Sequence, residues 1–222
     1  MRPGVRLVVL GRQGAGKGTQ CVRLSHHFAV PHVSTGDMLR AAVRGKTELG
    51  MAAKGLIDAG QLIPDDMVMA MVDERLDEHD VVARGFILDG CPRTTGQAEH
   101  LRESLASRGR PLDLVVDLDV PREQVLERLA SRRTCVVCGS IYSLQQPPMI
   151  RWVCDRCSGD VVQRDDDTAE AIAKRLDLYD AETAPLLDFY RAEGLLEPID
   201  GTGTPDEVFN RVLKAVAMRR SG

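Results

Sequence analysis

No stretch of this sequence approaches the roughly 18 to 20 consecutive apolar residues that a membrane span requires. The opening MRPGVRLVVLG offers only a short apolar run before glycines begin, so the expectation is a cytosolic protein. A basic excess is missing too: the formal charge is −4 over 222 residues. Nothing general therefore attracts nucleic acid or an anionic membrane, and any phosphate site must be local. Internal repeats and low-complexity tracts are also lacking. The histidines, His26, His27, His32, His79 and His100, fall in no ligand or catalytic spacing and receive no role.

What is present is a soluble globular composition, 43% hydrophobic and 28% charged, enough for one substantial core with one or two small excursions. VRLVVLG from Val5 is a β-branched run ending in glycines, and KGTQCVRLSHHF behind it has helical patterning. GFILDG at 85–90 and LDLVVDLDV at 112–120 are continuous apolar strands with helical stretches between them. Buried strands alternating with helices predict an α/β protein, a parallel sheet covered on both faces. Ser34 to Asp66 begins with capping residues and contains Gly45, Gly50, Gly55 and Gly60, so it reads as a helical insertion broken by glycines. DTAEAIAKRLDLYDAETAPLLDFYRAEG reads as a long helix that Pro185 interrupts or restarts, followed by a strand LLEPIDG and a last helix.

Two segments carry chemistry. GRQGAGKGT, Gly11 to Thr19, contains GxxxxGK directly after a strand and opening a helix. Glycines there let backbone N–H groups turn toward phosphate oxygens, the helix N-terminus adds its dipole, and Lys17 reaches the terminal phosphates. The second segment holds two CxxC pairs, Cys135 with Cys138 and Cys154 with Cys157, the spacing of a four-thiolate metal site. In a reducing compartment zinc explains them better than disulfides, with iron left open. Four closed ligands make a structural site, since catalytic zinc keeps a position free for water. Cys21 and Cys91 read as small buried apolar residues.

After Lys17 comes Gly18, and the hydroxyl arrives only at Thr19. With STGDMLR at 34–40, DGCPRT at 89–94, the cysteine insertion, QRDDD and KRL, this order of motifs resembles the adenylate kinases among the nucleoside monophosphate kinases, over essentially the whole chain. The resemblance implies a P-loop NTPase-type parallel sheet flanked by helices. It divides the chain into a core (1–33, 64–133 and 167–222), a small helical monophosphate-binding insertion (34–63) and a small zinc-bearing lid (134–166). It implies that Gly14, Ala15, Gly16, Lys17, Gly18 and Thr19 hold ATP, with Ile141 and Tyr142 covering its base and Gly203 on the other side. Thr35, Arg40, Gln61, Leu62 and Ile63 would hold AMP, the turn Gly90, Cys91, Pro92 and Arg93 would meet its phosphate, and Gln97 would read its adenine edge. Arg132, Arg164 and Arg175 would converge on the moving phosphoryl group, and Asp89 would orient magnesium through water.

The chemistry is consistent with those roles. A monophosphate nucleophile is already largely ionised at neutral pH, its second pKa being about 6, so no general base is needed. What is needed is in-line positioning and neutralisation of charge, which suits Lys17, the planar guanidiniums of Arg93, Arg132, Arg164 and Arg175, and magnesium. Arg2, Arg23, Arg44, Arg108, Arg110 and Arg156 lie in no such motif. The aspartates of RDDDT at 164–168 read as helix caps or as partners of arginines. Gln13 and Cys91 depart from the family's usual proline and phenylalanine but remove no charge, so altered affinity is expected. Thr35 favours AMP over pyrimidine monophosphates, again by resemblance, and a monomer is expected because two moving flaps need free surface. The competing reading, a cysteine ribbon that binds nucleic acid, has only Arg151 and Trp152 in its favour, against Asp155, Asp160 and Asp165 to Asp167.

Overall fold

The strand β1 (Val5–Leu10) shows why a sheet forms here. Val5, Leu7 and Val9 enter one apolar cluster while Val8 and Leu10 enter another, so both faces of the strand are buried, as in a sheet covered by helices on two sides. The same division recurs in β3 (Gly85–Asp89), with Ile87 on one face and Phe86 and Leu88 on the other. The computed structural model describes residues 4–58, 63–164 and 167–221. Within them, β2 (His32–Ser34), β4 (Leu114–Asp119) and β8 (Leu196–Asp200) complete a parallel sheet of order β2-β3-β1-β4-β8.

The helices α1 (Lys17–Phe28), α4 (Asp65–Leu76), α5 (His79–Arg84), α6 (Thr95–Ser107) and α7 (Arg122–Ser131) connect or cover these strands. After β2, α2 (Thr35–Arg44) and α3 (Glu48–Asp58) pack together. Ser34 caps α2 by accepting from the Asp37 N–H. The glycines of this segment break it less than expected: Gly45 ends α2, but Gly50 and Gly55 lie within α3. At Gly50 a side chain would start 2.1 Å from the Ala42 carbonyl oxygen, so that glycine serves the close approach of α3 to α2 rather than a helix end.

The cysteine segment forms its own antiparallel sheet, β5 (Arg132–Cys135) between β6 (Ile141–Ser143) and β7 (Val161–Val162). Its apolar cluster is small, Cys135, Cys154 and Val161 with Tyr142 and Trp152 against them. The chain then runs through α8 (Ala169–Leu178), capped by Thr168, a π-helical turn at Tyr179–Thr183, and α9 (Pro185–Ala192), which Pro185 opens. After β8, α10 (Pro205–Ser221) closes the fold. Among the described residues no helix is long and apolar enough to cross a membrane.

Candidate active site

The loop between β1 and α1 turns at Gly16, whose φ of 100° lies in the left-handed region that side chains avoid. From there the helix opens, with the Gln20 N–H donating to the Gly16 carbonyl at 3.0 Å. Lys17 folds back over this loop and donates to the carbonyls of Gly11 at 2.7 Å and Arg12 at 3.0 Å. Crowding by surrounding protein lowers its pKa; Asp89 pulls the other way, and Arg93 and Arg132 add to the lowering. Those interactions put Asp89, Arg93 and Arg132 within electrostatic reach of Lys17, beside the carboxyl ends of β1 and β3.

Register explains the position of Asp89. It ends β3 opposite Val9 of β1 and Ser34 of β2, so its carboxylate stands at the rim of the sheet beside the phosphate-binding loop. His32 Nε2 lies 3.3 Å from it. Thr35 is buried, and its hydroxyl donates to the Asp89 carbonyl at 3.3 Å. Gly90 has a φ of 83°, and a side chain there would begin 2.9 Å from the Thr35 hydroxyl, which ties the turn closely to α2.

In that turn Arg93 Nε donates to the Gly90 carbonyl at 2.8 Å. Arg93 opens onto the cleft but is hemmed in by its walls. That desolvation, followed by the field of Arg175, lowers its pKa, with Asp89 opposing. Arg40 pairs with Asp37, whose carboxyl is held below its usual range: burial opposes that shift, and Arg40, Ser34 and Arg164 outweigh it. Gln97 is buried with both ends of its amide engaged, Nε2 donating to Asp65 at 2.7 Å and Oε1 accepting from the Arg93 N–H at 2.8 Å. Cys91 and Pro92 are buried beside it, and the Cys91 pKa is pushed up to about 12 by burial. Ile63 is buried; Gln61 and Leu62 lie outside the described residues.

Toward the cysteine segment, Arg132 donates to both carboxylate oxygens of Asp167, Nε at 2.8 Å, and Arg175 stands 3.9 Å from the same group. Asp167 thus takes the arginine-pairing alternative, and Thr168 does the capping; Asp165 and Asp166 lie outside the described residues. Arg164 Nε donates to the Thr134 hydroxyl at 3.1 Å. Ile141 is 45% exposed, and its Cδ1 lies 3.6 Å from where a side chain on Gly18 would begin, so β6 reaches over the loop. Tyr142 turns its hydroxyl toward the thiols, 3.4 Å from Cys154 Sγ. Gly203 lies just ahead of α10, where a side chain would strike Glu207.

The thiols of Cys135, Cys138, Cys154 and Cys157 lie within 4.8 Å of one another. The Cys135–Cys157 and Cys138–Cys154 separations are 3.4 and 3.5 Å. Thiolates at 2.3 Å from a tetrahedral zinc stand about 3.8 Å apart, so the donor set and its size both fit that ion. None of these cysteines is in a disulfide.

Three contributors escaped the sequence reading. Arg128 of α7 bridges the carbonyls of Ala15 and Gly201, each at 3.3 Å; helical periodicity gave it no distinction from other surface arginines. His32 meets Asp89 only through strand pairing. Asp65 holds Gln97 and accepts from the Thr94 hydroxyl at 2.6 Å, a link across two helix starts that no local spacing reveals.

Comparison with known proteins places the chain in a family. The adenylate kinase family model matches residues 9–195. The chain is 48% identical over 213 residues to an adenylate kinase of Carboxydothermus hydrogenoformans, covering 96% of this chain and 99% of that protein. It is 49% identical over 209 residues to one from Thermodesulfovibrio yellowstonii, covering 94% and 97%. A third, from Geobacter sp. strain M21, is 46% identical over 213 residues, covering 96% and 99%.

Proposed function

We propose, from the premise that this chain belongs to the adenylate kinase family and transfers phosphoryl groups between adenine nucleotides, that it catalyses reversible magnesium-dependent transfer from ATP to AMP, giving two ADP. The observation that carries this reading is a chain of charges in one cleft: Lys17 and Arg93 share the field of Asp89, Arg132 reaches Lys17, and Arg175 reaches Arg93. So much positive charge in one cleft suits two bound polyanions and a charged group moving between them.

In this reading the backbone from Gly14 to Thr19 cradles the ATP phosphates, and Lys17 leaves the Gly11 and Arg12 carbonyls to meet them. Ile141 and Tyr142, with Gly203 opposite, flank the ATP base. Thr35, Arg40, Ile63 and the Gly90–Arg93 turn hold AMP, and Asp65 sets the Gln97 amide that faces its adenine. Arg93, Arg132, Arg164 and Arg175 neutralise the transferring group, each able to hold two oxygens at once. The acceptor phosphate needs no general base, because it is largely ionised near neutrality. Asp89 would orient magnesium, which when bound supplies charge neutralisation at the phosphates.

The segment 134–166 acts as a lid over the core, and 34–63 as the monophosphate flap. Closure of such a lid, for which adenylate kinases are a standing example, excludes water that would otherwise accept the phosphoryl group. The small apolar cluster of the lid supplies little stability of its own, and zinc on Cys135, Cys138, Cys154 and Cys157 replaces it. The protein works as a cytoplasmic monomer in this account. Incubation with ATP and each of AMP, CMP, UMP and GMP tests the substrate assignment: AMP should be turned over fastest, and a clear preference for CMP or UMP overturns it.

A further inference from the structure

Strand pairing and helix packing bring together three further ligand atoms that the phosphoryl-transfer scheme does not employ as a set. Cys21 projects from α1, His32 from β2 and Asp89 from β3. Cys21 Sγ, the His32 ring nitrogen and an Asp89 oxygen all lie within 4.8 Å of one another, with 3.3 Å between His32 Nε2 and Asp89 Oδ2. Ligands bound at 2.0–2.3 Å to a tetrahedral ion stand about 3.3–3.8 Å apart, so modest side-chain rotation completes the set. The thiol is fully buried, while the His32 and Asp89 side chains are 17% and 13% exposed. The imidazole and the carboxylate therefore form the mouth and the thiol the floor.

We propose that Cys21, His32 and Asp89 form a second metal site, distinct from the four-cysteine cluster, that takes a borderline-soft divalent cation such as zinc or cobalt. The donor chemistry selects the ion. Magnesium and calcium prefer oxygen-only shells, whereas a sulfur, nitrogen and oxygen set suits zinc and cobalt. Three protein ligands also leave one position open to water or to a phosphate oxygen, unlike the closed thiolate cluster. On binding, the Cys21 thiol gives its proton to solvent and its sulfur to the metal, so each ion taken up releases one proton. Lys17 lies in the field of Asp89, so a divalent ion bound to that carboxylate repels its ammonium and withdraws Asp89 from any magnesium. Occupancy thus inhibits transfer. That consequence alone rests on the proposed kinase mechanism; the binding does not.

The test uses full-length, nucleotide-free protein whose four-cysteine cluster has been filled with zinc and freed of excess metal. Titration with cobalt(II) should add one ion per chain with a near-ultraviolet thiolate-to-cobalt band and release of a proton. Cys21→Ala should abolish the band and weaken binding by at least about 10- to 100-fold, the range that loss of even an outer-shell partner produces. It should still transfer phosphate in magnesium buffer, which checks its folding. His32→Asn should weaken binding comparably while keeping the band. Cobalt that binds Cys21→Ala with the same affinity and spectrum overturns the proposal. So does cobalt bound to the unaltered protein without a thiolate band, or a band that both variants retain because cobalt has replaced zinc in the cluster.

Discussion

Replacing Asp167 by asparagine should cost more stability than any other single isosteric change in the cleft. Its side chain has 0% exposure and that of Arg132 has 12%, so this is a buried ion pair. It joins the first residue of β5 to the entry of α8. Arg132 places two N–H groups on the two carboxylate oxygens, and Arg175 shares the same charge at 3.9 Å. Asparagine keeps the shape but removes the charge and offers one oxygen where two were used. Breaking a buried pair by removing one partner costs about 3 to 5 kcal/mol, because the remaining charge is left desolvated. For a chain of this size each kcal/mol moves the melting temperature by about 2 to 4 °C, so the expected fall is about 6 to 20 °C. Calorimetry on the zinc-loaded protein reads it directly, and Asp167→Ala should fall at least as far. Because the same carboxylate positions two arginines proposed to meet the transferring group, kcat should fall as well. A melting temperature within about 2 °C of the unaltered protein would show that Arg132 is adequately solvated by the cleft and refute the reasoning.

Removal of zinc with a chelator, followed by resupply of magnesium, should lower the melting temperature while much of the transfer activity survives at low temperature; a protein with no metal and an unchanged melting point would refute the structural-zinc assignment. Tyr190 is buried with no hydrogen-bond partner for its hydroxyl among the described residues. Tyr190→Phe should therefore keep or raise stability in a urea melt, and a loss above about 1 kcal/mol would mean the hydroxyl is satisfied after all. Asp117 has its pKa raised from 3.8 to about 6, by burial and then by Asp119. Since the folded value lies above the unfolded one, stability is fully present below about pH 4 and is lost as pH rises through 6, by about 3 kcal/mol at most. Asp117→Asn should flatten that part of the pH–stability curve and be the more stable form at pH 7, and parallel curves for the two proteins would sink the assignment.

Long-period features were legible in the sequence because they are written locally. The apolar runs of β1, β3 and β4, the glycines before Lys17 and the Pro185 restart each depend on neighbours in the chain. By contrast β2, three residues long, is too short to show a period, and it exists through pairing with β3. The strands of the cysteine segment fail for a related reason. β7 has two residues, held by β5 and by the turns around the thiols, so their order comes from the cluster rather than from strand propensity.

The site divides along the same line. Lys17, Arg93 and the cysteines could be singled out because motifs announce them, but motifs do not say what a side chain does between substrates. Lys17 rests on two loop carbonyls, the Gln97 amide is locked by Asp65 and a backbone N–H, and Asp167 holds Arg132. Each contact gives a polar group a partner in a cleft where an unpaired one would be costly. Such holding contacts join residues far apart in sequence, and no spacing rule reaches them. The Cys21, His32 and Asp89 cluster belongs to this class. Each member looks ordinary in its own segment, and only the register of β2 on β3 beneath α1 turns a buried thiol, an unassigned histidine and a rim carboxylate into a ligand set.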